Sequence, residues 1–89
     1  MPYSIIFARS FEKDYARKNA KIQKAFDERF ILFTNDQFDP ILNNHKLTAE
    51  YVGCRSINIT GDIRAIFRLD ENNIVVFIRI GTHDELYGK

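Results

Sequence analysis

The stretch Tyr51-Val-Gly-Cys-Arg-Ser-Ile-Asn-Ile-Thr-Gly-Asp-Ile-Arg-Ala-Ile-Phe67 decides the fold. It predicts two β-strands joined by a turn at Thr60-Gly61-Asp62. Apolar and polar residues alternate on both sides of that turn, and alternation of this kind is typical of strands with one buried face. A glycine in a short polar stretch between two such runs indicates a hairpin. The sequence therefore predicts a β-hairpin at the centre of the domain.

The alternation sorts the side chains of the two strands onto two faces. The first face holds Arg55, Ile57 and Ile59, followed by Ile63, Ala65, Phe67 and Leu69. The second face holds Ser56, Asn58 and Thr60, followed by Arg64, Ile66 and Arg68. We expect the first face to be core and the second to present Ser56, Asn58 and Arg64 to a partner.

The residues before the hairpin predict one strand and two helices. Tyr3–Ala8 is a short apolar run and a candidate first strand. Ser10 is a candidate N-cap for a helix that begins at Phe11, because its side chain can accept a backbone hydrogen bond there. A break at Lys18-Asn19 separates this helix from a longer one that runs to about Thr34. Two antiparallel helices that pack on the sheet are the economical interpretation.

Helical spacing and turn chemistry complete the predicted order of elements. The second helix carries an apolar stripe made of Ile22, Phe26, Phe30 and Phe33, which we interpret as core. Ile41 and Leu42 are expected to fold back onto that core after a polar loop. Ile74–Ile80 is almost continuously apolar and predicts an interior strand. Thr82 and Glu85 have the spacing of a capping box, which predicts a final helical turn.

The fold class predicted from this pattern is α+β, with the order β-α-α-β-β-β. An antiparallel-dominated four-stranded sheet would carry a helical hairpin on one face. The 89 residues, 45% hydrophobic with eight Phe, predict one folded domain over 1–89. A lone Cys54 excludes an internal disulfide framework and a cysteine-based zinc site. Neither a signal peptide nor a membrane-length apolar run is apparent, so a cytoplasmic location is expected.

Charge gives little guidance about partners. The formal net charge is only +1, so a basic field over the whole protein is nearly absent. Binding to a polyanion such as RNA would have to come from local clustering of cations. No metal-ligand spacing, phosphate-binding glycine loop or serine-histidine signature occurs in the sequence.

The candidate residues for chemistry are few, and each also has a simpler structural interpretation. His45 and His83 can be surface residues, yet they flank the sheet, and imidazole exchanges protons near neutral pH. Asp62 suits a turn. The arginines of neighbouring strands suit either a solvated face or a phosphate site; they are Arg64, Arg68 and Arg79. Tyr87 suits a hydrophobic plug or a base-stacking platform. The residues alone predict a soluble α+β domain with an open polar sheet face.

Three segments resemble the RelE/ParE superfamily of toxins from bacterial type II toxin–antitoxin systems, and the YafQ-like mRNA interferases in particular. They are His45-Lys-Leu-Thr-Ala-Glu-Tyr-Val-Gly-Cys-Arg55, Gly61-Asp-Ile-Arg-Ala-Ile-Phe67 and Gly81-Thr-His-Asp-Glu-Leu-Tyr87. The resemblance implies a RelE-like fold and cleavage of mRNA in the ribosomal A site. The implied reaction is metal-independent attack by a ribose 2′-OH, without a cofactor. The implied partners are a cognate antitoxin, the ribosome and mRNA.

The resemblance also assigns roles to individual residues. His45 and Asp62 match catalytic positions of the YafQ-like branch. His83 matches the expected general acid, Arg64 the phosphate-stabilising arginine, and Tyr87 an aromatic residue that holds the nucleotide. The resemblance also implies weaker contacts to RNA or phosphate from five further residues: Ser56, Asn58, Arg55, Arg68 and Arg79.

One strand departs from the family pattern. The YafQ-like branch carries an Asp and a His where this chain has Ser56 and Asn58. Neither side chain is a useful base near neutral pH, so reduced activity is a natural expectation. The alternative is a non-enzymatic protein on the same fold: a ParE-like gyrase inhibitor, or a weakened toxin that still binds its antitoxin.

Overall fold

A mixed sheet of five strands forms the frame of the protein in a computed structural model that describes residues 4–88. The strands are β1 (Ser4–Phe7), β2 (His45–Lys46), β3 (Arg55–Asn58), β4 (Ile63–Leu69) and β5 (Ile74–Thr82). The helices are α1 (Arg9–Ala16), α2 (Ala20–Asn35) and α3 (His83–Tyr87). Two short 3-10 turns, Pro40–Leu42 and Ala49–Tyr51, lie in the connection before the central hairpin.

The strand order is β1-β5-β4-β3-β2, which corrects the predicted four-stranded sheet. β1 runs parallel to β5, and the other neighbouring pairs are antiparallel. The additional strand is β2, where His45 pairs with Ser56 and Lys46 with Arg55. Two residues are too few to produce a readable alternation, so this strand has no sequence signal. Of the predicted first strand, Tyr3 lies outside the described residues.

The helical hairpin forms as predicted, with one difference at its start. The Asn19 side chain accepts the Ile22 N–H at 2.9 Å and caps α2. Ser10 is not the N-cap of α1, because the helix already begins at Arg9 and Ala8 occupies the cap position. The Ser10 hydroxyl instead donates to the Ile78 carbonyl of β5 at 2.6 Å.

The core lies between the helical hairpin and one face of the sheet. Phe77 of β5 is fully buried, and its ring centroid lies 5.3–5.9 Å from those of Phe7, Phe11, Phe26, Phe30, Phe33 and Phe67. Burial of Ile57, Ala65 and Phe67 confirms most of the predicted core face of the hairpin, but Leu69, predicted on the same face, is exposed. Leu42 is buried as expected, whereas Ile41 is exposed, contrary to the prediction. Within the described part of the chain, no helix is both long and apolar enough to cross a membrane.

Helix α1 covers the half of β5 that β1 does not reach. β1 pairs with β5 only from Ile74 to Phe77, so the following backbone groups would otherwise form an open edge. The Asp14 carboxylate accepts the Ile80 N–H at 3.1 Å, next to the contact of Ser10 with Ile78. These bonds fix the end of β5, from which α3 starts.

Candidate functional site

An open cavity of ≈ 390 Å³ lies where the β3–β4 turn meets the start of α3. Its lining residues are Gly61, Asp62, Arg64, Thr82, His83 and Asp84. The register of the antiparallel strands produces this meeting, because Ile63 pairs with Thr82 and Arg64 with Gly81. Residues distant in sequence therefore lie together: Asp62 and Arg64 from the hairpin, and His83 from α3.

The Thr60 side chain shapes the turn that carries Asp62. Its hydroxyl oxygen accepts the N–H of Asp62 at 3.2 Å and that of Ile63 at 3.1 Å. Such side-chain bonds to the backbone two and three residues on are typical of tight turns. The Asp62 residue is exposed at the turn, so its carboxylate is available to a ligand.

Arg64 is anchored by one nitrogen and leaves the rest of its guanidinium available. Its Nη1 donates to the carbonyls of Thr60 at 3.1 Å and Gly61 at 3.0 Å. Among residues 4–88, no hydrogen bond engages its Nε or Nη2. A guanidinium held in this way presents two parallel donors, an arrangement that matches two oxygens of a phosphate.

Helix α3 brings His83 and Tyr87 onto one face, since residues four apart are neighbours on a helix. Their ring centroids are 4.6 Å apart. The His83 side chain is 74% exposed, and its Nδ1 lies 4.0 Å from an oxygen of Asp84. Burial, followed by Tyr51 and Glu50, raises the pKa of Tyr87, and the nearby Arg64 cation opposes this rise. Tyr87 is thus a neutral aromatic next to both His83 and Arg64.

Tyr51 supports the site without having been predicted as part of it. Its ring packs edge-on against Tyr87 at 5.4 Å between centroids. Its hydroxyl donates to the Leu86 carbonyl at the end of α3 at 3.0 Å. Tyr51 lies within the segment that resembles the toxins, but its contacts are 35 residues further along the chain. No local pattern could have indicated them.

His45 lies outside the cavity. It sits on the edge strand β2, two strand spacings and a two-residue offset from Arg64, which corresponds to about 12 Å between Cα atoms. The two histidines therefore do not meet at one sheet edge, since His83 follows β5. The His45 Nδ1–H donates to the Asn43 carbonyl at 2.8 Å, which leaves Nε2 of the neutral ring as an acceptor.

Ser56 and Asn58, which depart from the pattern expected of the family, were predicted to face a partner, but the structure buries Ser56 and the amide oxygen of Asn58. Ser56 is 2% exposed, between His45 on one side and Ile66 on the other. Asn58 pairs with Arg64 across the strands, and its Oδ1 is buried with no hydrogen-bond partner in the part of the chain described. A buried acceptor without a partner costs about 1–3 kcal/mol.

The other three arginines of the predicted site, Arg55, Arg68 and Arg79, do not line the cavity. Arg55 lies on the opposite face of the sheet, where it donates to Asn44 at 2.6 Å and stacks over the Phe38 ring. Arg68 is exposed about 13 Å along β4 from Arg64. Arg79 is held by Asp14, with Nε–Oδ2 at 2.6 Å, and this hydrogen bond raises the pKa of Arg79.

Residues 4–88 contain no group of three or more His, Cys, Asp or Glu side chains with the geometry of a metal site.

Several solved structures with a similar arrangement of helices and strands are bacterial toxins. A mutant of YafQ from Escherichia coli matches with a TM-score of 0.80 at 23% identity, covering 97% of this chain and 99% of that one. The Escherichia coli DinJ-YafQ complex matches with a TM-score of 0.78 at 26% identity, again covering 97% and 99%. The toxin-antitoxin complex RelBE2 from Mycobacterium tuberculosis gives 0.69 at 23% identity, covering 93% and 100%. No curated protein sequence matches the chain.

The family model described as "Bacterial toxin of type II toxin-antitoxin system, YafQ" matches residues 3–88. The chain therefore belongs to the YafQ family of type II toxins.

Proposed function

We propose that residues 1–89 act in the cytoplasm as a single toxin domain that cleaves mRNA on the ribosome. The observation that supports this most strongly is the cavity that gathers Asp62, Arg64 and His83 beside Tyr87. These residues carry a carboxylate, a guanidinium, an imidazole and an aromatic ring, which are the groups that a metal-independent RNA cleavage needs.

In the proposed reaction, the ribose 2′-oxygen bonds to the adjacent phosphorus while the bond from phosphorus to the 5′-oxygen breaks. A base takes the 2′-OH proton, and an acid gives a proton to the departing 5′-oxygen. The products are a 2′,3′-cyclic phosphate and a 5′-OH end. His83 is the assigned acid, because it is exposed at the cavity and imidazole exchanges protons near neutral pH.

Arg64 is the assigned stabiliser of the negative charge on the phosphate. Its anchoring through Nη1 fixes the guanidinium before RNA binds, so little reorganisation is needed during the reaction. Removal of one such donor typically lowers kcat by about 10²–10³-fold. Tyr87 remains neutral and offers its ring to a base, as aromatic residues of RNA-binding proteins often do.

His45 and Asp62 are the two candidates for the base. Asp62 lies in the cavity, whereas His45 lies outside it on the edge strand β2, with its Nε2 available. We assign proton abstraction to His45 and the orientation of the nucleotide to Asp62, because a carboxylate is the weaker base near neutral pH.

Local clustering of cations on α1 supports a polyanionic partner despite the net charge of +1. Arg9 and Lys13 of α1, and Arg17 at its C-cap, follow one another at four-residue intervals and are exposed, and no ion pair engages them among residues 4–88. The bonds of Ser10 and Asp14 hold α1 against β5, so this basic stripe flanks the strand that leads to His83. We propose that it contacts the RNA backbone of the ribosome or the mRNA.

The second proposed partner is a cognate antitoxin. Structures of the DinJ-YafQ and RelBE2 complexes show that similar toxins pair with such a protein. An acidic antitoxin segment would complement the half-buried Arg64 and the exposed Arg68 and would block the cavity.

Controlled expression with mapping of transcript ends tests the nuclease proposal. We expect growth arrest and cuts in phase with codons, and we expect both to be lost or strongly reduced in His83→Ala. Glu71→Ala is the matched control, because Glu71 is exposed in the β4–β5 turn at the opposite end of the strands. Full toxicity of His83→Ala would show that the acid is wrongly assigned.

The alternative is a toxin that binds its partners without efficient catalysis. The β3 strand supports this alternative, because Ser56 and the amide oxygen of Asn58 are buried there. The resemblance to the YafQ-like branch implies an Asp and a His at these two positions. DNA damage with intact transcripts would support a ParE-like gyrase inhibitor instead. Arrest with neither lesion would indicate a weakened toxin that acts by binding.

A further inference from the structure

Helix α3 carries two of the proposed catalytic residues but is too short to be stable alone. It spans only five residues, and isolated helices of this length do not persist in water. The positions of His83 and Tyr87 must therefore be fixed by contacts outside the helix.

One carboxylate oxygen joins the start of α3 to the helical hairpin. Glu85 Oε1 accepts the Thr82 N–H at 2.8 Å, and the Thr82 hydroxyl accepts the Glu85 N–H at 3.1 Å. The same Oε1 accepts a hydrogen bond from Lys18 Nζ at 2.7 Å. Lys18 lies in the link between α1 and α2, 67 residues away in sequence. The Lys18 side chain is only 13% exposed, so this cation is held in place.

The backbone at Gly81 leaves room for that carboxylate. A Cβ atom at Gly81 would lie 2.7 Å from Glu85 Oε1 and 3.2 Å from Glu85 Cβ. The first distance is too short and the second is tight, so a larger residue would push the Glu85 carboxylate away from Lys18 and from the cap. Gly81 is also the partner of Arg64 across the strands, directly beneath the cavity.

We propose that Lys18 and Glu85 are positioning residues that hold His83 and Tyr87 at the cavity. The inference deepens the proposed nuclease function and rests on it. Neither side chain is assigned contact with RNA; each acts through the orientation of α3. Misplacement of a catalytic group by about 1 Å can lower the rate by about 100-fold, whereas RNA binding depends on many other contacts. Loss of the pair should therefore lower kcat and leave KM nearly unchanged.

The test compares Lys18→Met with Lys18→Arg. Lys18→Met keeps the length of the side chain but removes the charge and the donor, and Lys18→Arg keeps both. Tyr15→Phe is the matched control: it removes a hydrogen bond of the same hairpin, from the Tyr15 hydroxyl to Asp27, without touching α3. Two kinds of measurement are made on each protein: amide exchange at Glu85 and Gly88, and kcat and KM for mRNA cleavage on ribosomes.

For Lys18→Met we expect faster exchange at both amides and a kcat lower by about 10- to 100-fold, with KM within about twofold. Lys18→Arg should restore both quantities, and Tyr15→Phe should match the wild type. Gly81→Ala approaches the same contact from the other side and should reproduce the Lys18→Met result. A merely structural role would lower the unfolding temperature without this separation of kcat from KM.

The outcomes distinguish this inference from the function on which it rests. If the wild type cleaves RNA and Lys18→Met retains its kcat, the positioning role is wrong. If the wild type does not cleave RNA at all, the nuclease proposal fails, and amide exchange still decides whether Lys18 holds α3. Unchanged exchange at Glu85 and Gly88 in Lys18→Met would overturn the inference in either case.

Discussion

Replacement of Asp14 by alanine should destabilise the fold more than its position on a short outer helix suggests. The Asp14 side chain accepts the Ile80 N–H at 3.1 Å and the Arg79 Nε–H at 2.6 Å, and the residue is 8% exposed. Asp14→Ala leaves one backbone donor and one cation of β5 without their partner. Asp14→Asn retains an oxygen that can accept the Ile80 N–H but removes the charge.

The two losses have different magnitudes. A buried backbone N–H without a partner costs about 1–3 kcal/mol. The ion pair contributes less, about 1 kcal/mol, because the Arg79 side chain is 31% exposed and water replaces part of the lost interaction. We therefore expect Asp14→Ala to lower the free energy of unfolding by about 2–4 kcal/mol, and Asp14→Asn by about 1 kcal/mol.

Urea unfolding followed by circular dichroism measures both variants against the wild type. In a domain of this size, each kcal/mol corresponds to a change of about 4–8 °C in Tm, so thermal scans provide an independent check. Equal destabilisation by Asp14→Ala and Asp14→Asn would refute the argument, because it would show that the Ile80 hydrogen bond contributes nothing.

Two further predictions concern charge. The first uses the double variant Lys13→Gln with Arg17→Gln, which should reduce the slope of log Kd against log salt concentration for single-stranded RNA by about 1.4. The control double variant, Lys21→Gln with Lys24→Gln on α2, should leave this slope nearly unchanged. Fluorescence anisotropy in a salt series measures both slopes. Lys18 and the Thr82 backbone lower the pKa of Glu85, so this carboxylate stabilises the fold above the pKa it has in the unfolded chain, and the stabilisation is lost as pH falls through the folded-state value. The difference in unfolding free energy between wild type and Glu85→Gln should therefore shrink as the pH of urea titrations is lowered below the ordinary range of a glutamate, and a constant difference would contradict it.

Local patterns predicted the elements whose signal is contained within a few residues. The alternation around Thr60-Gly61-Asp62 gave the hairpin and its buried face, since Ile57 and Phe67 are fully buried. The break predicted at Lys18-Asn19 was equally local, and in the structure Asn19 caps α2 there. The pairing of β1 with β5 and the bond from Ser10 to Ile78 join parts of the chain about 70 residues apart. Periodicity carries no information about which distant elements meet, so these features required the structure.

In the candidate site, too, local features could be predicted from the sequence and long-range contacts could not. The capping box of Thr82 and Glu85 was predicted from their spacing, and the structure confirms it. The contact of Glu85 with Lys18 could not be predicted, because neither residue has a local pattern that points to the other. Tyr51 is a similar case, since its hydroxyl bonds to a carbonyl in α3. Local patterns therefore indicated candidate groups for the site but not the contacts that support them.

The positions of Ser56 and Asn58 limit what this strand can contribute to catalysis. Ser56 is buried, so RNA cannot reach it without a rearrangement of the sheet face, and the buried oxygen of Asn58 is equally inaccessible. In the proposed reaction, neither residue takes the 2′-OH proton. The groups for the phosphate and the leaving oxygen, Arg64 and His83, remain accessible at the cavity. Within the proposed reaction, the departure from the expected family pattern therefore concerns proton abstraction, the step that we assign to His45.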